Sequence, residues 1–280
     1  MLFEQITVVG VGLIGGSVGL AVRARKLAAK VVGVGRDPKT LARAVELGAI
    51  DAFSTELAAG VANADLVVVC TPVDRIAQMM LDAAPHMRPG AIFTDAGSTK
   101  LNILRSLGNR LPAHVAFIPA HPLAGAEKAG VEFALADLFQ DRVTIITNPV
   151  GVVTEAGIRV EGFWRAIGSR IVHMGPEEHD RVLASTSHLP HAIASGLAIS
   201  TPINYLPISA GGFRDTTRIA AGDPTLWAAI FQANREQVLA ALRGFTDHMA
   251  EFQRLLEAGD GAGLTKWLAE AKQVRDALGS

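Results

Sequence analysis

Only one cysteine, Cys70, occurs in the 280 residues, which excludes an internal disulfide framework and fits a reducing, cytoplasmic setting. It sits in the apolar run Leu66-Val67-Val68-Val69-Cys70, where a thiol serves as a small buried hydrophobe. Charge of one sign is also missing in excess. The 26 basic and 27 acidic residues leave a net charge of −1, so neither nucleic acid nor an acidic membrane surface is indicated as a partner. Two uncharged runs fail as targeting or membrane segments. Ile6 to Val22 follows Glu4 rather than basic residues and is interrupted by glycines. Ala192 to Phe213 is broken by Pro202, Asn204 and Pro207, and reads as a buried helix running into a loop. No carboxylate or cysteine cluster joins the His188-x-x-His191 spacing, so no metal site is indicated. Internal repeats and low-complexity segments are absent as well.

What is present is a well-cored globular composition, 49% hydrophobic and 19% charged. The most informative segment is Val8-Val9-Gly10-Val11-Gly12-Leu13-Ile14-Gly15, a G-x-G-x-x-G turn between an apolar strand and an apolar-periodic helix. Gly10 permits the tight turn, Gly12 allows a pyrophosphate close to the backbone, and Gly15 lets helix and strand pack closely. The helix N-terminus, with Leu13 and Ile14, then presents free N–H groups to phosphate. A nicotinamide or flavin dinucleotide is expected there.

The first half alternates strands (about 6–9, 31–34, 66–70, 91–94, 115–118, 143–147 and 170–173) with helices (13–28, 38–47, 73–84, 100–107 and 152–167). After Pro176 the pattern is helical, with segments at 177–199, 215–221, 225–256 and 263–278. The expected fold class is therefore α/β: a Rossmann-type dinucleotide-binding domain over residues 1–174, then an all-helical domain over 175–280. Apolar residues at Trp227, Ile230, Phe231, Val238, Leu242, Phe245 and Met249 form a stripe. It reads either as ordinary core or, beside the uncharged Ala192–Ile199 segment, as the interface of a homodimer.

The tip of the second strand selects the cofactor. It ends in Gly35-Arg36, and a small residue followed by arginine suits the 2′-phosphate of NADP better than the free hydroxyl of NAD. Asp37 competes for the ribose, but Asp37 before Pro38 is explained as a helix N-cap. Three further segments look chemical. Thr94-Asp95-Ala96-Gly97-Ser98-Thr99-Lys100 follows a strand, and Ser98 either orients a substrate oxygen or caps the next helix. Pro119-Ala120-His121-Pro122 presents His121 on a loop between prolines, where it could accept a proton from an alcohol or simply bond loop backbone. Arg214 and Arg218, spaced i,i+4, share a helix face that suits an anionic substrate, or are surface arginines.

These residues carry a resemblance. The glycine turn, Cys70-Thr71-Pro72, Asp95 to Lys100, His121-Pro122-Leu123-Ala124-Gly125, Ser187-His188-Leu189-Pro190 and Gly212 to Arg218 occur in the order and spacing of the prephenate/arogenate (cyclohexadienyl) dehydrogenases of tyrosine biosynthesis. The resemblance implies oxidative decarboxylation of a cyclohexadienol. His121 matches the base that accepts the C4 hydroxyl proton, Ser98 its supporting serine and His188 a pocket histidine. Arg218 matches the arginine that binds a substrate carboxylate, with Arg214 nearby. Thr71 and Pro72 fall with the glycine turn on the cofactor side. The substrate would be a small dicarboxylate or amino acid. The helical domain would form the homodimer. The Gly35-Arg36 tip resembles the short NADP-using arogenate dehydrogenases. With the chain ending at Ser280, no appended regulatory domain is expected, so tyrosine would act at the active site if at all. Asp215, Asp223 and Glu127 are candidates for reading the ammonium of arogenate.

Two other classes stay open. A hydroxy-acid or imine-type oxidoreductase on the same plan would place its acid–base group in the helical domain. A dinucleotide-sensing protein without chemistry would need none of Ser98, His121, His188 and Arg218.

Overall fold

The structure is a computed structural model that describes residues 1–126, 128–147 and 153–279. Strands β1 (Phe3–Val9), β2 (Ala28–Val34), β3 (Ala52–Ser54), β4 (Leu66–Val69), β5 (Ile92–Asp95) and β6 (Ala116–Ile118) form a parallel sheet in the order β3-β2-β1-β4-β5-β6. Helices α1 (Leu13–Ala24), α2 (Pro38–Glu46), α3 (Leu57–Val61), α4 (Ile76–Ala83) and α5 (Leu101–Leu107) cross over between these strands. Both sheet faces are covered, which is why β1 and β4 read as near-continuous apolar runs. The direction of winding reverses between β1 and β4, the place where open α/β sheets receive ligands.

A second sheet, β7 (Ala120–Pro122), β8 (Val143–Ile146) and β9 (Arg170–His173), is completed by α6 (Glu155–Ala166). His121 is therefore on a strand rather than the expected loop: Ala120, His121 and Pro122 pair antiparallel with Ile146, Ile145 and Thr144. The chain changes sheets at Pro119, whose missing N–H cannot continue the first ladder. Trp164 and Phe163 of α6 are fully buried and stack edge-on, anchoring the helix to the core.

Helices α7 (Pro176–Leu183), α8 (Leu189–Ser200), α9 (Gly211–Thr217), α10 (Pro224–Ala233), α11 (Arg235–Glu257) and α12 (Gly261–Asp276) follow. By contact density the chain forms two compact units, 1–234 and 235–280. Several expected helices are interrupted. The 177–199 segment contains a widened π-turn over 184–188, because Pro190 has no N–H to give and its ring presses on the carbonyl four residues back. The 225–256 segment breaks at Asn234, so its apolar stripe is not one continuous face. Ile230 is core of the first unit, while Leu242 and Met249 are exposed on the second. Arg218 begins a 3₁₀ turn after α9, so Arg214 and Arg218 do not share one helix. The 192–213 run is not buried: Ile199, Ile203 and Ile208 are each more than 80% exposed. Among the described residues no helix is long and apolar enough to cross a membrane. Missed altogether were β3 and α3, too short to show a period.

Candidate active site

A cavity of about 670 Å³ opens at the carboxyl ends of β1, β4 and β5. One side is made by the glycine turn (Gly12, Leu13, Ile14) and by Cys70, Thr71 and Pro72 after β4. The other holds Ser98, His121, His191, Arg218 and Trp227.

The first side fits a dinucleotide. Gly10 has φ +93°, and a Cβ there would lie 2.8 Å from the Cys70 carbonyl oxygen. A Cβ on Gly15 would meet the Gly10 carbonyl oxygen and the Val8 side chain, whereas one on Gly12 would meet nothing within 4 Å. Gly12 thus leaves an open cradle at the N-terminus of α1, whose N–H groups have no side-chain cap. Beside it the buried Thr71 hydroxyl has no protein partner. Gly35 and Arg36 follow β2 outside the cavity wall, and Arg36 is exposed. Asp37 is occupied as the cap of α2, accepting from the Lys39 N–H at 3.0 Å, the Thr40 N–H at 3.3 Å and the Thr40 hydroxyl at 2.7 Å. Cys70 is held as a neutral thiol, its pKa pushed far up by burial.

On the second side a hydrogen-bonded chain runs back from His121. Its Nδ1 lies 2.9 Å from His179 Nε2, and His179 Nδ1 lies 2.7 Å from Asp180 Oδ1. The same Asp180 carboxylate accepts the Lys100 N–H at 2.8 Å and the Leu101 N–H at 3.0 Å. Asp180 therefore caps α5 from 80 residues away, and Ser98 is released from the capping role that the sequence allowed it. Beneath this chain Lys100 Nζ is paired with Asp95 Oδ2, both fully buried. Asp95 also accepts the Gly97 and Ala120 N–H groups, each at 3.0 Å, tying β5 to the strand that carries His121.

Burial, followed by the fields of His179 and Lys100, drives the His121 pKa well below the ordinary histidine value, so the ring is neutral at pH 7. Burial lowers His179 too, and sets His188 at about 4. In each case the folded state binds a proton less readily than the unfolded chain. Stability is thus complete above the unfolded value, about 6.5, and declines as pH falls below it. We expect a Tm that is flat above pH 7 and drops steadily from pH 6.5 to pH 4 in a buffer series. A Tm unchanged down to pH 4.5 would contradict the buried neutral histidines.

The cavity brings together Ser98, His121 and Arg218 with Gly12, Leu13, Ile14, Thr71 and Pro72. It does not include His188, which is buried with Nδ1 accepting from Asn234 Nδ2 at 3.1 Å; His191, stacked on Trp227 with centroids 3.6 Å apart, lines the wall instead. Arg214 is exposed on α9 away from the cavity. Of the acidic candidates Asp223 lines the cavity and Asp215 does not, while Glu127 lies outside the described residues. The sequence reading missed His179, Asp180 and Asn234. One signal was available: His179 and Leu183 share a face at i,i+4, an unusual place for a histidine on a core-facing stripe.

Two family descriptions match the chain: the nucleotide-binding domain of prephenate dehydrogenase over residues 18–173, and its dimerization domain over 175–270. The cyclohexadienyl dehydrogenase of Zymomonas mobilis is 36% identical, across 99% of this chain and 97% of that protein. The crystal structure of prephenate dehydrogenase from A. aeolicus with hydroxyphenyl propionate and NAD⁺ superposes with a TM-score of 0.90 at 31% identity, covering 98% of each chain. Synechocystis arogenate dehydrogenase superposes with a TM-score of 0.83 at 27% identity, over 98% of this chain and 99% of that one. Matched along both of its parts and over nearly its whole length, the chain belongs to the prephenate dehydrogenase family of oxidoreductases.

Proposed function

We propose that the protein catalyses the oxidative decarboxylation of L-arogenate to L-tyrosine with NADP⁺. The observation that carries this reading is one cavity containing the Gly12 cradle, neutral His121, Ser98 and the Arg218 cation. When bound, the nicotinamide dinucleotide supplies the hydride acceptor. His121 takes the proton of the C4 hydroxyl as that carbon is oxidised, and Ser98 orients the hydroxyl. Arg218 holds a substrate carboxylate by a charge-assisted pair. The C1 carboxylate leaves as carbon dioxide and its bonding electrons complete the aromatic ring, which makes the reaction effectively irreversible.

Asp223 supports arogenate: its Oδ1 caps α10 through the Leu226 N–H at 2.7 Å, and its second oxygen can meet a substrate ammonium at the cavity wall. Arg36 supports NADP, because Asp37 is committed to α2 and a guanidinium stands at the β2 tip. A homodimer is supported by the exposed Ile199, Ile203 and Ile208. We place the functional boundary between residues 174 and 175, and the protein in the cytoplasm. The second reading, a prephenate or dual cyclohexadienyl dehydrogenase, is favoured by the names of the relatives.

Reduction of NADP⁺ and of NAD⁺ by the purified protein, each with L-arogenate and with prephenate, tests the proposal. Turnover of arogenate with NADP⁺ alone is expected. Turnover of prephenate moves the chain to the second reading, and silence in all four assays removes both. Arg36→Ala should raise KM for NADP⁺ about 10–100-fold and leave NAD⁺ kinetics unchanged, the effect of losing one charged phosphate contact. Equal KM values before and after would assign the 2′-position to another residue.

A further inference from the structure

We infer that Asp180 and His179 act as positioning residues that fix the proton of His121 on Nδ1, leaving Nε2 as the only lone pair of its ring. The inference rests on the reading of His121 as the base.

The proton positions follow from which groups can only donate. The Lys100 and Leu101 backbone N–H groups reach opposite oxygens of Asp180, at 2.8 Å and 3.0 Å. An N–H has no lone pair, so both oxygens accept there, and the Asp180 side chain acts as the acceptor at the start of α5. His179 Nδ1, 2.7 Å from Oδ1, must therefore carry its proton. A neutral imidazole with Nδ1–H exposes a lone pair on Nε2, and that lone pair faces His121 Nδ1 at 2.9 Å. The hydrogen between the two rings consequently belongs to His121 Nδ1. Each link leaves the next imidazole one arrangement, and the last leaves His121 Nε2 free to accept. A doubly protonated His179 would invert the result, making His121 Nδ1 the acceptor. Burial opposes that form by holding the His179 pKa below the ordinary value.

The neighbouring histidine is kept out of the chain by a separate device. Asn234 Nδ2 donates to the Asp180 backbone carbonyl at 2.7 Å, which fixes the amide orientation, and also to His188 Nδ1 at 3.1 Å. His188 thus keeps its proton on Nε2 and does not compete for the Asp180 carboxylate.

The test is a nitrogen-15 NMR measurement of the histidine rings in the intact, otherwise unmodified protein at pH 7.5, with His121→Asn used only to assign the signals. We expect a protonated Nδ1 and an unprotonated Nε2 for His121; the reverse pattern overturns the inference. This readout needs no substrate, so it stands or falls separately from the proposed reaction. Two variants add a kinetic arm. His179→Leu offers nothing to accept from His121 and should lower kcat about 10²–10³-fold with KM nearly unchanged. His179→Gln retains a carbonyl acceptor and should recover activity to within about tenfold of the parent protein. A folded His179→Leu protein with unaltered kcat overturns the positioning role, and the NMR pattern decides the matter if that variant does not fold.

Discussion

Replacing His121 with alanine is expected to lower kcat by about 10²–10⁴ while KM changes little. The range is that of a lost general base, and it corresponds to about 3–5 kcal/mol of transition-state stabilisation. Three features argue for an effect of that size. The ring is neutral at working pH because burial, His179 and Lys100 all oppose its charged form. It is held by β7 pairing and by His179, so its loss cannot be compensated by a swing of the backbone. Of the other titratable side chains that line the cavity, His191 is stacked on Trp227 and Asp223 caps α10, so neither stands in the place of His121. On the proposed reading substrate binding is carried by other groups, Arg218 among them, so KM should be spared. Steady-state kinetics with saturating cofactor measures the split. A variant retaining kcat within threefold would remove His121 from the chemistry.

The second large effect concerns stability. Asp95→Ala should cost about 3–5 kcal/mol, because it leaves the Lys100 ammonium fully buried without its counter-charge. The Gly97 and Ala120 N–H groups lose their acceptor in the same step. Against a typical total of about 5–15 kcal/mol, this single change consumes a large share of the margin. Chemical denaturation in urea gives the number directly. Restoring most of the loss in the double variant Asp95→Leu/Lys100→Met would show that the penalty is the orphaned charge and not a packing defect. A single variant within about 0.5 kcal/mol of the parent would mean that Lys100 is not charged in its pocket.

What was legible in the sequence was what is local. Gly10, Gly12 and Gly15 do their work within six residues, and each glycine proves necessary or open for the steric reason its position suggests. His121 was visible because Pro119 and Pro122 flank it. Its partners were not, because His179 is 58 residues away and Asp180 reaches α5 across 80. His188 was carried by the resemblance, and the structure buries it beside the wall that His191 lines. An α-helical reading of 177–199 cannot anticipate a π-turn, and one widened turn rotates every following side chain to another face. The same limit explains Arg214 and Arg218, which share a face only while the helix between them stays α-helical.

Asp180 also has a consequence for the order of assembly. The parallel sheet and the Gly12 cradle close through contacts complete by Ile118, whereas the His121 relay waits for α7 to return across 80 residues and dock on α5. Such distant closures are made late, after local elements have formed. During refolding the chain should therefore acquire affinity for a dinucleotide before it acquires a correctly protonated base. A half-assembled molecule can hold the oxidant yet cannot use it.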